Sequence, residues 1–566
     1  MKDYSDWETF LDYENESPYL EDLNRPWLKF RADNIPKSIK FDPIPVHEFI
    51  KLSAKEYPNN VSVYFKPKDK TYTYRDLVYF ADKIAHALFD SGVNKSQAVG
   101  IMTGNCPEFL FCSLGIMETG AAVVPINPLL KEDEVIHIIK DAGNIKTVFV
   151  HKNNFRVIRK AIRKVKLENI ILLGTEEPKE GTITLSEFIE DIAPKAPEVE
   201  IDPNDTAALL YTGGTTGLPK GVMLTHNNLV SNALCTLYMA GEPEEDEDQF
   251  GKHVNLSVIP LCHSFGFQVL IIASFGVAML VMFESFNPSE ILEAIEYYGV
   301  QNYVGVPVMF QMLINSPDFT ERDLSSLEEA NSGSAALAPE LNKKWEQVTG
   351  FKVGQGFGLT EASPITHMAA KWMPEIIPES IGVPLIDTDA KIVNPDTSEE
   401  LPIGQIGELL INGPQIMKGY WNNPEETKKA LIEGGWLRTG DLARMDERGY
   451  FYIEGRSKDM LKYKGYKILP REVEEKLYEH PAILEAGVVS APDPNIGETI
   501  KAYIALKPEY RDGKITEKDI IEWAKERMAS YKFPRKVEFV NVLPRTAVGK
   551  VFRRKLREMA YKDEKK

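Results

Sequence analysis

Apolar and polar positions along this chain alternate between two rhythms. VHEFIKLSAKEY, from Val46, repeats apolar residues at helical spacing, and VSVYF after it reads as a strand. YTYRDLVYFADKIAHALFDSG then predicts a capped helix closed by Gly92. QAVGIMTGN and AAVVPIN predict strands around a helix PEFLFCSLGIMETG, and the rhythm recurs at KTVFVHK, at IILLG and at AALLY, residues 207–211. Such alternation predicts a layered α/β fold. Residues up to about Ile44 read as an irregular lead-in, and short strands with Gly, Pro and Asn turns between Ile381 and Tyr420 predict a small β-rich subdomain. Past Arg456 the pattern becomes a separate α+β module. The expectation is a large N-terminal domain, residues 1–455, of layered α/β subdomains plus the β-rich one, followed by a smaller mobile α+β C-terminal domain, residues 456–566.

Length supports the division, because 566 residues are too many for one core. Hydrophobic residues at 43% and charged residues at 27% are ordinary for a globular protein, and a net charge of −18 excludes a general nucleic-acid binder. The charge is uneven: from Arg456 onward 26 Lys and Arg face 18 Asp and Glu. A basic lid closing over phosphates and a plain solvated basic face both account for that. Cys106, Cys112, Cys235 and Cys262 show neither metal spacing nor a disulfide framework, and the acidic start MKDYSDWETFLDYENES has no signal-peptide core; both point to the cytoplasm. The one run approaching membrane-spanning length, Phe265–Phe283, is interrupted by Gln268, Ser274 and Gly276, which predicts a buried helix and then a buried strand, not a transmembrane segment. GEPEEDEDQ, residues 241–249, reads as a solvated loop.

Chemistry enters at YTGGTTGLPKGV, residues 211–222. Glycines let backbone N–H groups turn toward an anion, threonine hydroxyls add donors, and Lys220 supplies a full charge, so the stretch reads as a phosphate-gripping loop. It is not a Walker A loop, whose lysine is followed by Ser or Thr, and it lacks the GxGxxG order of a dinucleotide fold. A flexible Gly/Thr linker is the plainer alternative, opposed by the strand-like AALLY that feeds it.

This loop resembles the signature of the adenylate-forming (ANL) superfamily, and five further segments match that family in order. They are PLCHSFG, NSGSAAL, GQGFGLTEASP, WLRTGDLARMDERGYFYIEGRSKD with the following MLKYKGYKILPREVE, and PRTAVGK. The resemblance spans about residues 45–557 and is strongest to AMP-forming acyl-CoA synthetases of medium- or long-chain fatty acids. It implies nucleotide binding by Thr212, Gly213, Gly214, Thr215, Thr216, Gly217 and Lys220 in the loop. It adds Ser334, Ala335, Gln355, Gly356, Phe357, Gly358 and Thr360 around the adenine, and Asp441, Ile453 and Arg456 around the ribose. Magnesium falls to Thr216 and Glu361, the acyl-site entrance to His263, the hinge to Lys458, the thioester-forming face to Lys462, Lys464 and Gly465, and the adenylation step to Lys550. Gly213 departs from a serine common at that position, removing one phosphate donor of several.

The implied activity joins a carboxylic acid to coenzyme A through an acyl-adenylate, with ATP and coenzyme A as co-substrates and Mg²⁺ as cofactor. A short-chain or hydroxy acid such as a hydroxybutyrate is the alternative substrate. A carrier-bound thiol is the alternative acceptor, and a nucleotide-binding pseudoenzyme the non-catalytic alternative. A homodimer is the assembly considered.

Overall fold

The computed structural model of the protein describes residues 11–14, 17–20, 25–29, 31–33, 35–212, 219–241, 252–463, 466–493, 496–511, 513–545 and 551–563. The loop residues Gly213, Gly214, Thr215, Thr216 and Gly217, the pair Lys464 and Gly465, Lys550, and nearly all of the acidic segment lie outside these. The chain divides into two compact units. The first comprises residues 1–390, 411–437 and 448–450; the second comprises 391–410, 438–447 and 451–566.

Two large sheets organise the first unit. One has eight strands in the order Gly419–Tyr420, Lys220–Thr225, Thr206–Thr212, Ala122–Pro125, Ala98–Met102, Thr147–His151, Asn169–Leu173 and Ile183–Thr184. From Thr206–Thr212 outward to Ile183–Thr184 its pairings are parallel, as helical crossovers between strands require. The other has nine strands, in the order Val383–Pro384, Ile365–Met368, Gly354–Gly358, Glu329–Ser332, Asn302–Gly305, Val254–Ser257, Met279–Met282, Val61–Phe65 and Lys70–Thr73. The helices Val46–Glu56, Tyr74–Asp90, Pro107–Glu118 and Ser264–Phe275 share one apolar core with strands of both sheets, including Phe49, Tyr74, Phe109 and Phe267.

The expected elements of the N-terminal half are present. The helix Tyr74–Asp90 starts where Thr73 accepts from the Asp76 N–H and Asp76 answers the Thr73 N–H, a reciprocal cap that fixes its first turn. The apolar run after Phe265 is the buried helix Ser264–Phe275, a break at Gly276, and the buried strand Met279–Met282. Among the described residues no helix is long and apolar enough to cross a membrane.

The β-rich stretch extends differently from its sequence bounds. Asp389–Val393 and Gly407–Asn412 join Leu437–Met445 and Phe451–Arg456 in a four-stranded sheet. Val383–Pro384 and Gly419–Tyr420 instead complete the edges of the two large sheets. A two-residue strand has no register of its own, so its partner is chosen by tertiary context.

The second unit also contains a two-stranded ribbon, Leu461–Tyr463 with Tyr466–Ile468, and a three-stranded sheet, Ile483–Asp493, Gly497–Leu506 and Lys536–Phe539. The helices Pro470–Tyr478 and Glu517–Arg527 bury Val473, Leu477, Ile520 and Ala524 in the same cluster as that sheet.

Candidate functional site

In the first unit the phosphate-loop sequence connects two antiparallel strands, Thr206–Thr212 and Lys220–Thr225. Tyr211 faces Gly221 and Thr212 faces Lys220 across the neck of the hairpin. The helix Glu132–Asp141 braces that neck: the Tyr211 hydroxyl donates to Asp141 at 2.7 Å, and the His137 ring nitrogen lies 2.9 Å from the Pro219 carbonyl. The Trp421 indole donates to the Asp141 carbonyl at 2.8 Å, and the Trp421 N–H donates to the Gly221 carbonyl at 2.8 Å. Both ends of the loop are therefore held.

Gly419–Tyr420 adds an edge to the Lys220–Thr225 strand, setting Tyr420 opposite Val222. From there the Tyr420 hydroxyl donates to Glu361 Oε1 at 2.8 Å, and the Lys220 ammonium stands 5.2 Å from the centre of the Tyr420 ring. Lys220 also forms an ion pair with Glu426 of the helix Pro424–Ala430. Burial, and then the Glu361 carboxylate, push the Tyr420 phenol up, so it remains a hydrogen-bond donor. Lys220 and Glu361, 141 positions apart in sequence, are thus joined through one tyrosine.

Glu361 lies in the single turn Thr360–Ala362 that follows the strand Gly354–Gly358. Its carbonyl accepts from the Met417 N–H at 2.9 Å. The Thr360 hydroxyl lies 3.1 Å from that of Ser264, which begins the helix next to His263. His263 Nδ1 accepts from the Phe265 N–H at 3.3 Å, so this half-buried ring caps its own helix and has a set orientation.

Small residues at NSGSAAL have a steric reason. A Cβ on Gly333 would lie 2.7 Å from the Phe265 ring, and Ser334 holds a left-handed φ of 70°. Gln355 is buried, and its amide is committed to this loop: its Oε1 accepts from the Leu337 N–H at 2.7 Å and its Nε2 donates to the Pro378 carbonyl. Both ends of the amide are thereby tied to neighbouring backbone. The side chain shapes the turn that carries Ser334 and the exposed Ala335. Gly356 and Phe357 pair antiparallel with Met368 and His367, and a Cβ on Gly358 would run into the Pro364 carbonyl. The loop neck, Ser334–Ala335, Gln355–Gly358, Thr360, Glu361 and His263 are all held in the first unit.

The second unit holds the remaining described residues. Asp441 faces Arg456 across the antiparallel strands Leu437–Met445 and Phe451–Arg456, and accepts from its Nε at 3.0 Å. Asp441 is therefore a strand residue and not a turn residue, although Gly440 before it is left-handed at φ 71°. The Asp441 side chain is 5% exposed and that of Arg456 50%, so the arginine screens a nearly buried carboxylate. The Thr439 hydroxyl fixes the approach, accepting from the Asp441 N–H at 3.0 Å and donating to the Leu409 carbonyl at 2.8 Å. The Ile453 carbonyl accepts from Arg471. Lys458 is exposed in the turn Ser457–Asp459, and Arg557 anchors the next residue, Asp459, at 3.1 Å. Lys462 lies in the strand Leu461–Tyr463.

With this geometry in place, comparison with known proteins decides the family. Residues 50–421 match the AMP-binding enzyme family, and residues 472–550 match the AMP-binding enzyme C-terminal domain. The chain belongs to the AMP-binding enzyme family. It is 36% identical over 560 residues to a long-chain-fatty-acid–CoA ligase of Bacillus subtilis (strain 168), covering 94% of this chain and 98% of that protein. It is 33% identical over 527 residues to a 4-coumarate–CoA ligase of Pinus taeda, covering 91% and 95%. The crystal structure of ATP-bound MatB from Rhodopseudomonas palustris superposes with a TM-score of 0.82 at 28% identity, covering 92% of this chain and 100% of that one. Like other members of the family, this AMP-binding enzyme forms adenylates with ATP.

Two residues with an evident place in the site escaped sequence reasoning, Tyr420 and Glu426. The short helix of Glu426 was readable, because Asn423 and Pro424 form a standard start in which Asn423 accepts from the Glu426 N–H at 3.2 Å. Their role was not, since it depends on partners far away in sequence. Tyr420→Phe removes the hydroxyl bond to Glu361 and keeps the ring beneath Lys220. Hydrogen bonds to charged groups contribute about 1.5–3 kcal/mol, so kcat/KM for acid activation falls roughly ten-fold or more. Unchanged steady-state kinetics would leave the tyrosine with no positioning role.

Proposed function

We propose that the acid activated by this AMP-forming acyl-CoA ligase is a medium- or long-chain fatty acid, that free coenzyme A is the acyl acceptor, and that magnesium accompanies the nucleotide. The observation that carries the nucleotide half is the linkage of Lys220, Tyr420 and Glu361 at the neck of the glycine loop. Identity of 36% with a long-chain-fatty-acid–CoA ligase over nearly the whole of both chains supports the acid. A 4-coumarate–CoA ligase at 33% identity supports an aromatic acid more weakly.

The donor set suits magnesium. Glu361 presents a carboxylate aimed by the Tyr420 hydroxyl, and among the described residues no cluster of three or more His, Cys, Asp or Glu makes a self-contained metal cage. A hard ion held by one or two carboxylates and the substrate's own phosphates needs no more. Glu361, with Thr216, would hold it, and when bound it would offset charge on the triphosphate.

The chemical obstacle is an anion attacking an anion. A carboxylate oxygen bonds to the α-phosphorus while the bond to the departing pyrophosphate breaks, giving an acyl-adenylate. Lys550 lowers the repulsion between acid and α-phosphate; Lys220 and the loop N–H groups grip the pyrophosphate; Asp441 accepts from the ribose hydroxyls. In the second step the coenzyme A sulfur attacks the acyl carbon, the thiol proton leaves to solvent, and AMP departs. Lys550 serves only the first step and the Lys462 and Gly465 segment only the second, so the chain changes conformation at Lys458 between them.

The functional test follows AMP, pyrophosphate and thioester together, with ATP, magnesium and coenzyme A present. All three should form in equal amounts with a fatty acid. Pyrophosphate exchange without thioester would refute free coenzyme A as acceptor.

A further inference from the structure

Lys220 already has an anionic partner. Glu426 Oε2 takes its ammonium, and Glu426 Oε1 accepts from Lys429 Nζ at 2.7 Å, so one carboxylate bridges two lysines. Lys220 first and then Lys429 hold the Glu426 carboxyl down to about 2, keeping it anionic throughout the neutral range. Neither side chain of the Lys220–Glu426 pair is deeply buried: 32% of one and 31% of the other are exposed. The pair sits at the hairpin neck, with Lys220 facing Thr212 at the edge of the glycine loop.

We infer that Glu426 is a stand-in for phosphate: it holds Lys220 over the Tyr420 ring in the nucleotide-free protein and yields it when the triphosphate arrives. The inference rests on the reading of Lys220 as a phosphate ligand. Two features suit a displaceable contact better than a permanent one. A pair about one-third exposed binds its partners weakly, by a factor of roughly five or less, whereas a triphosphate brings several charges to the same ammonium. Lys429, three residues along the same helix, remains on Glu426 after the exchange, so no carboxylate is left unpaired. The stand-in also has a structural use, because an unpartnered lysine on a flexible stem would otherwise have to be ordered when the nucleotide binds.

The test is calorimetric titration of the full chain with ATP in magnesium chloride. Glu426→Gln removes the competing charge and keeps the side-chain volume, so the Kd for ATP falls about five-fold. In a Lys220→Ala background the same substitution changes nothing, because the competition needs both partners. Lys429→Ala strips Glu426 of its second partner, tightens its hold on Lys220 and weakens ATP binding about two-fold; it carries the test should Glu426→Gln fail to fold. An unchanged or raised Kd for a folded Glu426→Gln variant overturns the inference, as does an equal effect with and without Lys220. Failure of the unsubstituted protein to bind ATP would instead overturn the phosphate reading of the site.

Discussion

Lys550→Ala is expected to lose adenylate formation by about 10²–10³-fold, the scale of removing one preorganised electrostatic group from a transition state that gathers charge. Transfer to coenzyme A from a chemically prepared acyl-adenylate should continue at close to the original rate, because in the proposed scheme this lysine has no part in the second step. Lys458→Pro should do the reverse. Proline fixes φ and removes an N–H at the proposed hinge residue, so adenylation survives and thioester formation falls. Pyrophosphate exchange reports the first half-reaction and single-turnover thioester formation the second. Parallel loss of both in both variants would eliminate the division of labour between Lys550 and the Lys458 hinge.

The second large effect is at Glu361. Glu361→Ala removes the carboxylate proposed to hold magnesium against the triphosphate and takes away the acceptor of the Tyr420 hydroxyl. A loss of about 10²-fold in kcat/KM is expected, accompanied by a higher magnesium concentration for half-maximal rate. Tyr420→Phe should show a smaller loss in the same direction, since it leaves the carboxylate and disturbs only its aim. The ordering separates positioning from ligation: Glu361→Ala affects the metal requirement most, and Tyr420→Phe less. Equal magnesium dependence in all three proteins, measured as initial rate against free magnesium, would show that Glu361 is not a ligand.

What the sequence disclosed and what it concealed divide by distance along the chain. AALLY marked the strand that feeds the glycine-rich stretch, whereas its antiparallel partner Lys220–Thr225 emerges only from the fold. Gln268, Ser274 and Gly276 turned a membrane-like run into a helix and a strand, because a break at Gly276 leaves neither piece long enough to span a bilayer. Thr73 and Asp76 announced a helix start within four residues. Tyr420 offered no such local sign: its chemistry comes from Glu361 and Lys220, brought together only when a two-residue strand finds an edge of the eight-stranded sheet. Gln355 shows the converse. The motif marked the position, and only the packing shows that its amide serves the Leu337 turn. Asp441 was identified by its match to the family, and its nearly buried place opposite Arg456 follows from antiparallel register that the sequence alone did not specify.

In the proposed reading this chain couples ATP cleavage to thioester formation on an aliphatic acid. The most direct measurement is the rate of AMP release with ATP, magnesium and coenzyme A across short, medium and long aliphatic acids, hydroxy acids and aromatic acids. The predicted result is one preferred range of medium or long aliphatic acids, strict dependence on coenzyme A, and one acyl-CoA formed for each AMP. A preference for 4-coumarate or a hydroxy acid, or AMP release with no thioester, would contradict it.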